Sequence, residues 1–116
     1  GFVAKAGRAY RVSHGSGVQH TAAGHVDVRL VRTTGTTETL WEFFRYPVHT
    51  AAVIVACQGE GYIRNSTAAD ITLTMQLQMA ASTGTGFHAG GATRKRYLAV
   101  EDVGTAVHWN MATPIS

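Results

Sequence analysis

Between Ile71 and Met79 the chain alternates without a break. Ile71, Leu73, Met75, Leu77 and Met79 are apolar, and Thr72, Thr74, Gln76 and Gln78 are polar. A period of two lines up the five apolar side chains on one side of a β-strand, whereas a helix would scatter them around its circumference. Each contributes roughly 1.5–3 kcal/mol when buried. This strand is therefore expected at the centre of the core.

The same reading extends along the chain. Ala6–His14 puts Tyr10, Val12 and His14 on one face, and Gly15-Ser16-Gly17 is expected to turn the chain into a polar loop through Gly24. Val26–Arg32 sets Val26, Val28 and Leu30 inward and Asp27 and Arg29 outward. Thr33–Thr37, centred on Gly35, has the composition of a hairpin connection. In Thr39–Val48, Leu40, Phe44 and Tyr46 share a face with Glu42, while Trp41 and Phe43 share the other with Arg45; Pro47 marks an edge or a strand end. Ala51–Gln58 is apolar on both faces, Val53, Val55 and Cys57 against Ile54 and Ala56. Gly59 and Gly61 predict a bulge or bend before Tyr62-Ile63-Arg64 and a turn at Asn65-Ser66-Thr67. Ser82–Gly86 predicts another turn. Arg96–Val103 closes the pattern, with Tyr97, Ala99 and Val103 opposite Leu98 and Val100.

No segment carries a sustained helical period. Six to eight strands separated by turn signals predict an all-β fold, an antiparallel β-sandwich of jelly-roll type over residues 1–104. Residues 105–116 form a C-terminal tail without clear periodicity, although Val107, Trp109, Met111 and Ile115 are apolar enough to dock.

A sandwich strand buries one face and wets the other. Trp41 with Phe43, and Ile54 with Ala56, depart from that rule. Either a loop or the tail folds over them, or they form an oligomer interface with further copies of the chain. A charged content of 15% favours the interface, because little of the surface is equipped to face water by itself.

The 116 residues suffice for one domain. The net charge of +3 comes from scattered Lys and Arg; only Arg94-Lys95-Arg96 cluster, without stacking aromatics, so no nucleic-acid partner is expected. No stretch approaches the length of a bilayer span, which argues against membrane insertion, and the N-terminus does not resemble a signal peptide. A start at Gly1 rather than Met is expected of a fragment or a processed product. The single cysteine, Cys57, rules out an intrachain disulfide and reads as a small buried hydrophobe.

His14, His20, His25, His49, His88 and His108 form no ligand pair at metal-binding spacing, so neither metal nor other cofactor is expected. Glu101 and Asp102 are adjacent, hence on opposite faces of a strand, and make no acid/base pair. Ser13, Ser16, Ser66 and Ser82 lack a nucleophile-elbow context. No catalytic residue is expected, and the chain does not read as an enzyme. Tyr62, Tyr97 and Trp109 are the candidates for ligand binding, by stacking on a sugar.

Three segments together, Ala6-Gly7-Arg8-Ala9-Tyr10-Arg11-Val12, Arg64-Asn65-Ser66-Thr67-Ala68-Ala69-Asp70 and Arg96-Tyr97-Leu98-Ala99-Val100-Glu101-Asp102-Val103-Gly104, resemble the C-terminal β-domains of minor tail or fibre-like virion proteins from actinobacterial phages and prophages. The resemblance covers residues 6–104. It departs at the start, where only Gly1–Lys5 stands in place of a preceding strand, and at the end, where Thr105-Ala106 replaces a Pro-Ala pair. It implies a place in the virion, on the tail or the capsid surface, with other virion proteins as neighbours. It also implies a homotrimer and attachment to host cell-surface glycan, or particle decoration. A standalone carbohydrate-binding module of a secreted bacterial protein is the alternative.

Overall fold

The computed structural model describes residues 1–20, 24–35, 37–48, 55–81, 86–89 and 97–116. Alternation builds strands throughout: β1 (Phe2–Ala4), β2 (Arg8–His20), β3 (Gly24–Arg32), β4 (Glu38–Val48), β5 (Val55–Asn65), β6 (Ile71–Leu73), β7 (Met75–Ala81), β8 (Gly86–Ala89), β9 (Tyr97–Thr105) and β10 (Thr113–Pro114). One 3-10 turn at Ala106–His108 is the sole helical element among the described residues.

One sheet is organised on β2. Strand β5 pairs antiparallel along one of its edges, and β8 and β9 lie end to end along the other. Strand β10 adds in parallel to the free side of β5. A second sheet runs β4-β3-β7, antiparallel throughout, and β6 leaves its start to pair with β1. The core closes between them. Tyr10, Val12 and Ile63 from the first sheet meet Val26, Val28, Leu30, Leu40 and Phe43 from the second, with Ala4 and Leu73 beside them. The result is the expected all-β, sandwich-like architecture.

The hairpin read at Thr33–Thr37 joins β3 to β4, and Gly35 takes a φ of +72° there, a conformation that glycine adopts without a steric penalty. The turn read at Asn65-Ser66-Thr67 is built by Asn65, which is fully buried. Its Oδ1 accepts from the Thr67 N–H at 3.0 Å, and its Nδ2 donates to Ala4 O at 2.9 Å and Ala69 O at 2.8 Å. Both amide hydrogens are thus committed inside the fold.

Four expectations are corrected. The Ile71–Met79 alternation is real, with Thr72, Thr74, Gln76 and Gln78 exposed, but it lies at the margin and not at the centre. It breaks at Thr74, whose N–H donates to Thr34 Oγ1 at 2.6 Å and whose carbonyl accepts from the Thr33 N–H at 2.9 Å. Only Leu73 of the five apolar residues is fully buried. Alternation reports a wet face, which a marginal strand also has; β2 and β3 are the middle strands. Second, Gly15-Ser16-Gly17 makes no turn, because β2 continues through it to His20. Third, Gly59 and Gly61 make no bulge: the β2–β5 register is continuous from Arg8↔Asn65 to Val18↔Val55.

The fourth correction concerns β4. Its register against β3 slips between Val28 and Arg29 and again between Leu30 and Val31, leaving Phe43 and Leu40 as the extra residues. Each bulge resets the in–out alternation, and both Leu40 and Phe43 end in the core. Phe43 is therefore not on an outer face, and its ring sits 4.4 Å from that of buried His14.

The tail completes the same core. Ala106, Ala112 and Ile115 are buried, and the Ile115 N–H donates to Arg64 O at 2.9 Å.

Candidate functional site

The face of the first sheet that turns away from the core is set by alternation on β5, which puts Gln58, Glu60, Tyr62 and Arg64 opposite Gly59, Gly61 and Ile63. Register then fixes their neighbours. Arg11 of β2 lies beside Tyr62 and Ser13 beside Glu60, while β9 brings Glu101 to Arg11 and Tyr97 to Gly15.

At the middle of this face Arg11 is held between two carboxylates, hydrogen-bonded to Glu101 and 3.7 Å from Glu60. The Glu101 hydrogen bond raises the Arg11 guanidinium above its ordinary pKa. The Tyr62 hydroxyl donates to Glu60 at 3.2 Å. On the opposite side of the sheet, at the Tyr10 face, Arg8 grips Asp102 through two hydrogen bonds of 2.8 and 3.0 Å, and the Gly104 N–H donates to Asp102 Oδ1 at 2.9 Å. Those bonds, Arg8 first, hold the Asp102 carboxyl below the usual carboxylate value.

Aromatic rings flank the polar centre. Tyr62 and Trp109 stack with centroids 5.0 Å apart and planes 17° from parallel. The Trp109 indole N–H donates to Val103 O at 3.2 Å, which ties the tail onto the face. Tyr97, half exposed, lies over Gly15, where a Cβ would come within 2.5 Å of its ring. Two strand spacings, about 10 Å, separate β9 from β5 across β2. Between Tyr97 and Glu60 the surface dips into a depression of about 420 Å³ whose polar side chains include Ser13 and Gln58. Ring faces beside hydroxyl, amide and carboxylate groups can stack on a sugar ring while bonding its hydroxyls.

Comparisons of the chain with family models, characterised proteins and solved structures found no match.

Of the residues expected to bind ligand, Tyr62 and Trp109 come together and Tyr97 shares their face. The expected interface set fares differently. Phe43 is in the core. Trp41 is half-buried, packs over Gly61 and meets Tyr62 edge-on at 6.0 Å, so its own chain covers much of it. Ile54 lies outside the described residues, and Ala56 is described only as a backbone position of β5. Sequence reasoning missed Arg11, Ser13, Gln58, Glu60 and Glu101 as one cluster. They come from three strands, and only the pairing register joins them. The spacing Gln58-x-Glu60-x-Tyr62-x-Arg64 was the available signal, a polar stripe at strand period.

Proposed function

We propose that this chain is a non-catalytic module of a phage virion, on the tail or the capsid surface, that holds host-surface glycan on the outer face of β5, β2 and β9. The observation that carries the reading is the pairing of the Tyr62–Trp109 stack with Tyr97 on either side of the Ser13–Gln58–Glu60 depression. The sequence resemblance supplies the virion setting and the preference for a homotrimer. Leu98 and Val100, 38% and 37% exposed on the opposite side of β9 from Tyr97, offer apolar surface to a neighbouring copy or another virion protein.

A second reading, a carbohydrate-binding module of a secreted bacterial protein, gains from one observation: Phe43, and much of Trp41, are covered within a single chain. Light scattering on the purified chain separates the two, a trimer supporting the virion module and a strict monomer the alternative. Glycan binding is tested by affinity electrophoresis against a panel of bacterial surface polysaccharides. Tyr97→Ala is expected to weaken binding roughly tenfold. An unchanged mobility shift in that variant, or no binding across the panel, overturns the placement of the site.

A further inference from the structure

The outer stripe of β5 continues past Tyr62 to Arg64, and here the charge balance changes. Arg8, Arg11 and Arg32 each lie within ion-pair distance of a carboxylate. Among the described residues Arg64 meets none, and its fully buried Nε–H finds no acceptor. A guanidinium is always charged, and a buried donor on it left without an acceptor carries an uncompensated desolvation cost.

The surroundings are those of a receiving site. Arg64 lines a depression of about 310 Å³ together with Gly7, Ser66, Thr105 and Asn110. These neighbours offer hydroxyl and amide groups and no negative charge. The depression lies beyond the Tyr62–Trp109 stack from the Ser13–Glu60 dip, on the same stripe of β5. Asn110 follows Trp109 directly, so the tail that sets the stack also builds this wall.

We propose that Arg64, with Ser66, Thr105 and Asn110, forms a subsite for a small oxyanion, a carboxylate or phosphate group carried by an acidic surface glycan. The guanidinium fork matches either group in a bidentate geometry, and the hydroxyl and amide donors complete its coordination. The aromatic stack then holds the adjoining sugar ring. The inference rests on the glycan reading for the source of the anion, while the pocket itself can be tested without a glycan.

The test titrates glucuronate, inorganic phosphate and neutral glucose into the 15N-labelled chain, followed by the backbone amide and arginine Nε–Hε signals. Glucuronate or phosphate is expected to shift the Arg64 Nε–Hε signal and the amides of Gly7, Ser66 and Asn110, with glucose leaving them in place. The stronger of the two anions identifies the group. Arg64→Gln is expected to weaken anion binding roughly tenfold or more, and Arg64→Lys to weaken it less. Asn110→Ala supplies an independent wall variant should Arg64→Gln disturb folding, and is expected to weaken binding as well. Absence of any shift with either anion means the pocket holds water only and overturns the proposal, as does undiminished binding in Arg64→Gln or Asn110→Ala. Anion binding without polysaccharide binding upholds the pocket and removes the glycan reading; polysaccharide binding that ignores Arg64→Gln does the reverse.

Discussion

Gly61 and Gly15 occupy equivalent roles with different energetic weight. A Cβ at Gly61 would stand 2.4 Å from Trp41 Cγ, and Trp41 is packed against the core. Gly61→Ala must therefore displace a large ring from a filled space, and is expected to destabilise the fold by about 1–3 kcal/mol in urea denaturation. The same change at Gly15 first meets the half-exposed ring of Tyr97, which can swing into solvent. Gly15→Ala is expected to move stability by no more than about 0.5 kcal/mol, while weakening polysaccharide binding as Tyr97→Ala does. A large stability loss at Gly15 would count against that account. Asn65 is the other residue on which local structure depends. Asn65→Ala strips the buried Ala4 carbonyl of its side-chain donor and removes the Thr67 contact, for an expected loss of about 2–3 kcal/mol by the same measurement. Asn65→Asp keeps the acceptor but loses both donors, so recovery of stability in that variant would show that the turn alone mattered. The glycines and the asparagine were visible in the sequence as turn or bulge signals. Only at Asn65 was that the right meaning, because at Gly15 and Gly61 the missing side chain makes room for a ring from a distant strand.

At the scale of elements, β3 is the clearest product of pattern. Val26, Val28 and Leu30 are each essentially inaccessible, and their alternation with Asp27 and Arg29 was readable directly. Flanked by β4 and β7, Leu30 cannot relax into solvent once truncated. Leu30→Ala is expected to cost about 2–5 kcal/mol, measured by the urea midpoint. Leu77→Ala, on half-buried β7, should cost distinctly less; equal losses would mean that β7 is as central as its alternation first implied. Strand β4 shows the opposite case. Its two bulges carry Leu40 and Phe43 inward together, and a bulge leaves no mark in a hydrophobic pattern other than a broken period. Reading that broken period as a second apolar face was what placed Phe43 at an interface. A bulge on β9 against β2, where Val103 is the extra residue between the Ala9↔Gly104 and Tyr10↔Asp102 pairs, was equally invisible.

At the scale of the whole molecule, ion pairs join segments far apart in sequence. Lys5 meets Asp70 at 2.8 Å, Arg8 meets Asp102, and Asp70 also accepts from the Ala6 N–H at 3.0 Å. Hydrogen bonding to Lys5 and Ala6 lowers the Asp70 carboxyl, as Arg8 and Gly104 lower that of Asp102. Both groups are more acidic folded than unfolded. Their stabilisation is therefore complete above the ordinary aspartate pKa of about 3.9, and is lost as the pH falls through the lower folded values. Thermal unfolding from pH 6 to pH 2 is expected to show a falling Tm below about pH 4 that is shallower in the Asp70→Asn/Asp102→Asn double variant. Parallel curves for the two proteins would dismiss these pairs as contributors. The tail belongs to this scale too, since Ile115 enters the core and Trp109 completes the aromatic stack. By itself the sequence determined that the chain forms strands, where the β3–β4 hairpin and the Asn65 turn fall, and which residues of β2 and β3 face inward, because those follow from local period and turn chemistry. Tertiary structure alone decided which strands are central, where the bulges lie, and that Arg11, Glu60, Glu101, Tyr62 and Trp109 share one surface, because strand pairing joins residues up to about a hundred positions apart whose adjacency no local pattern encodes.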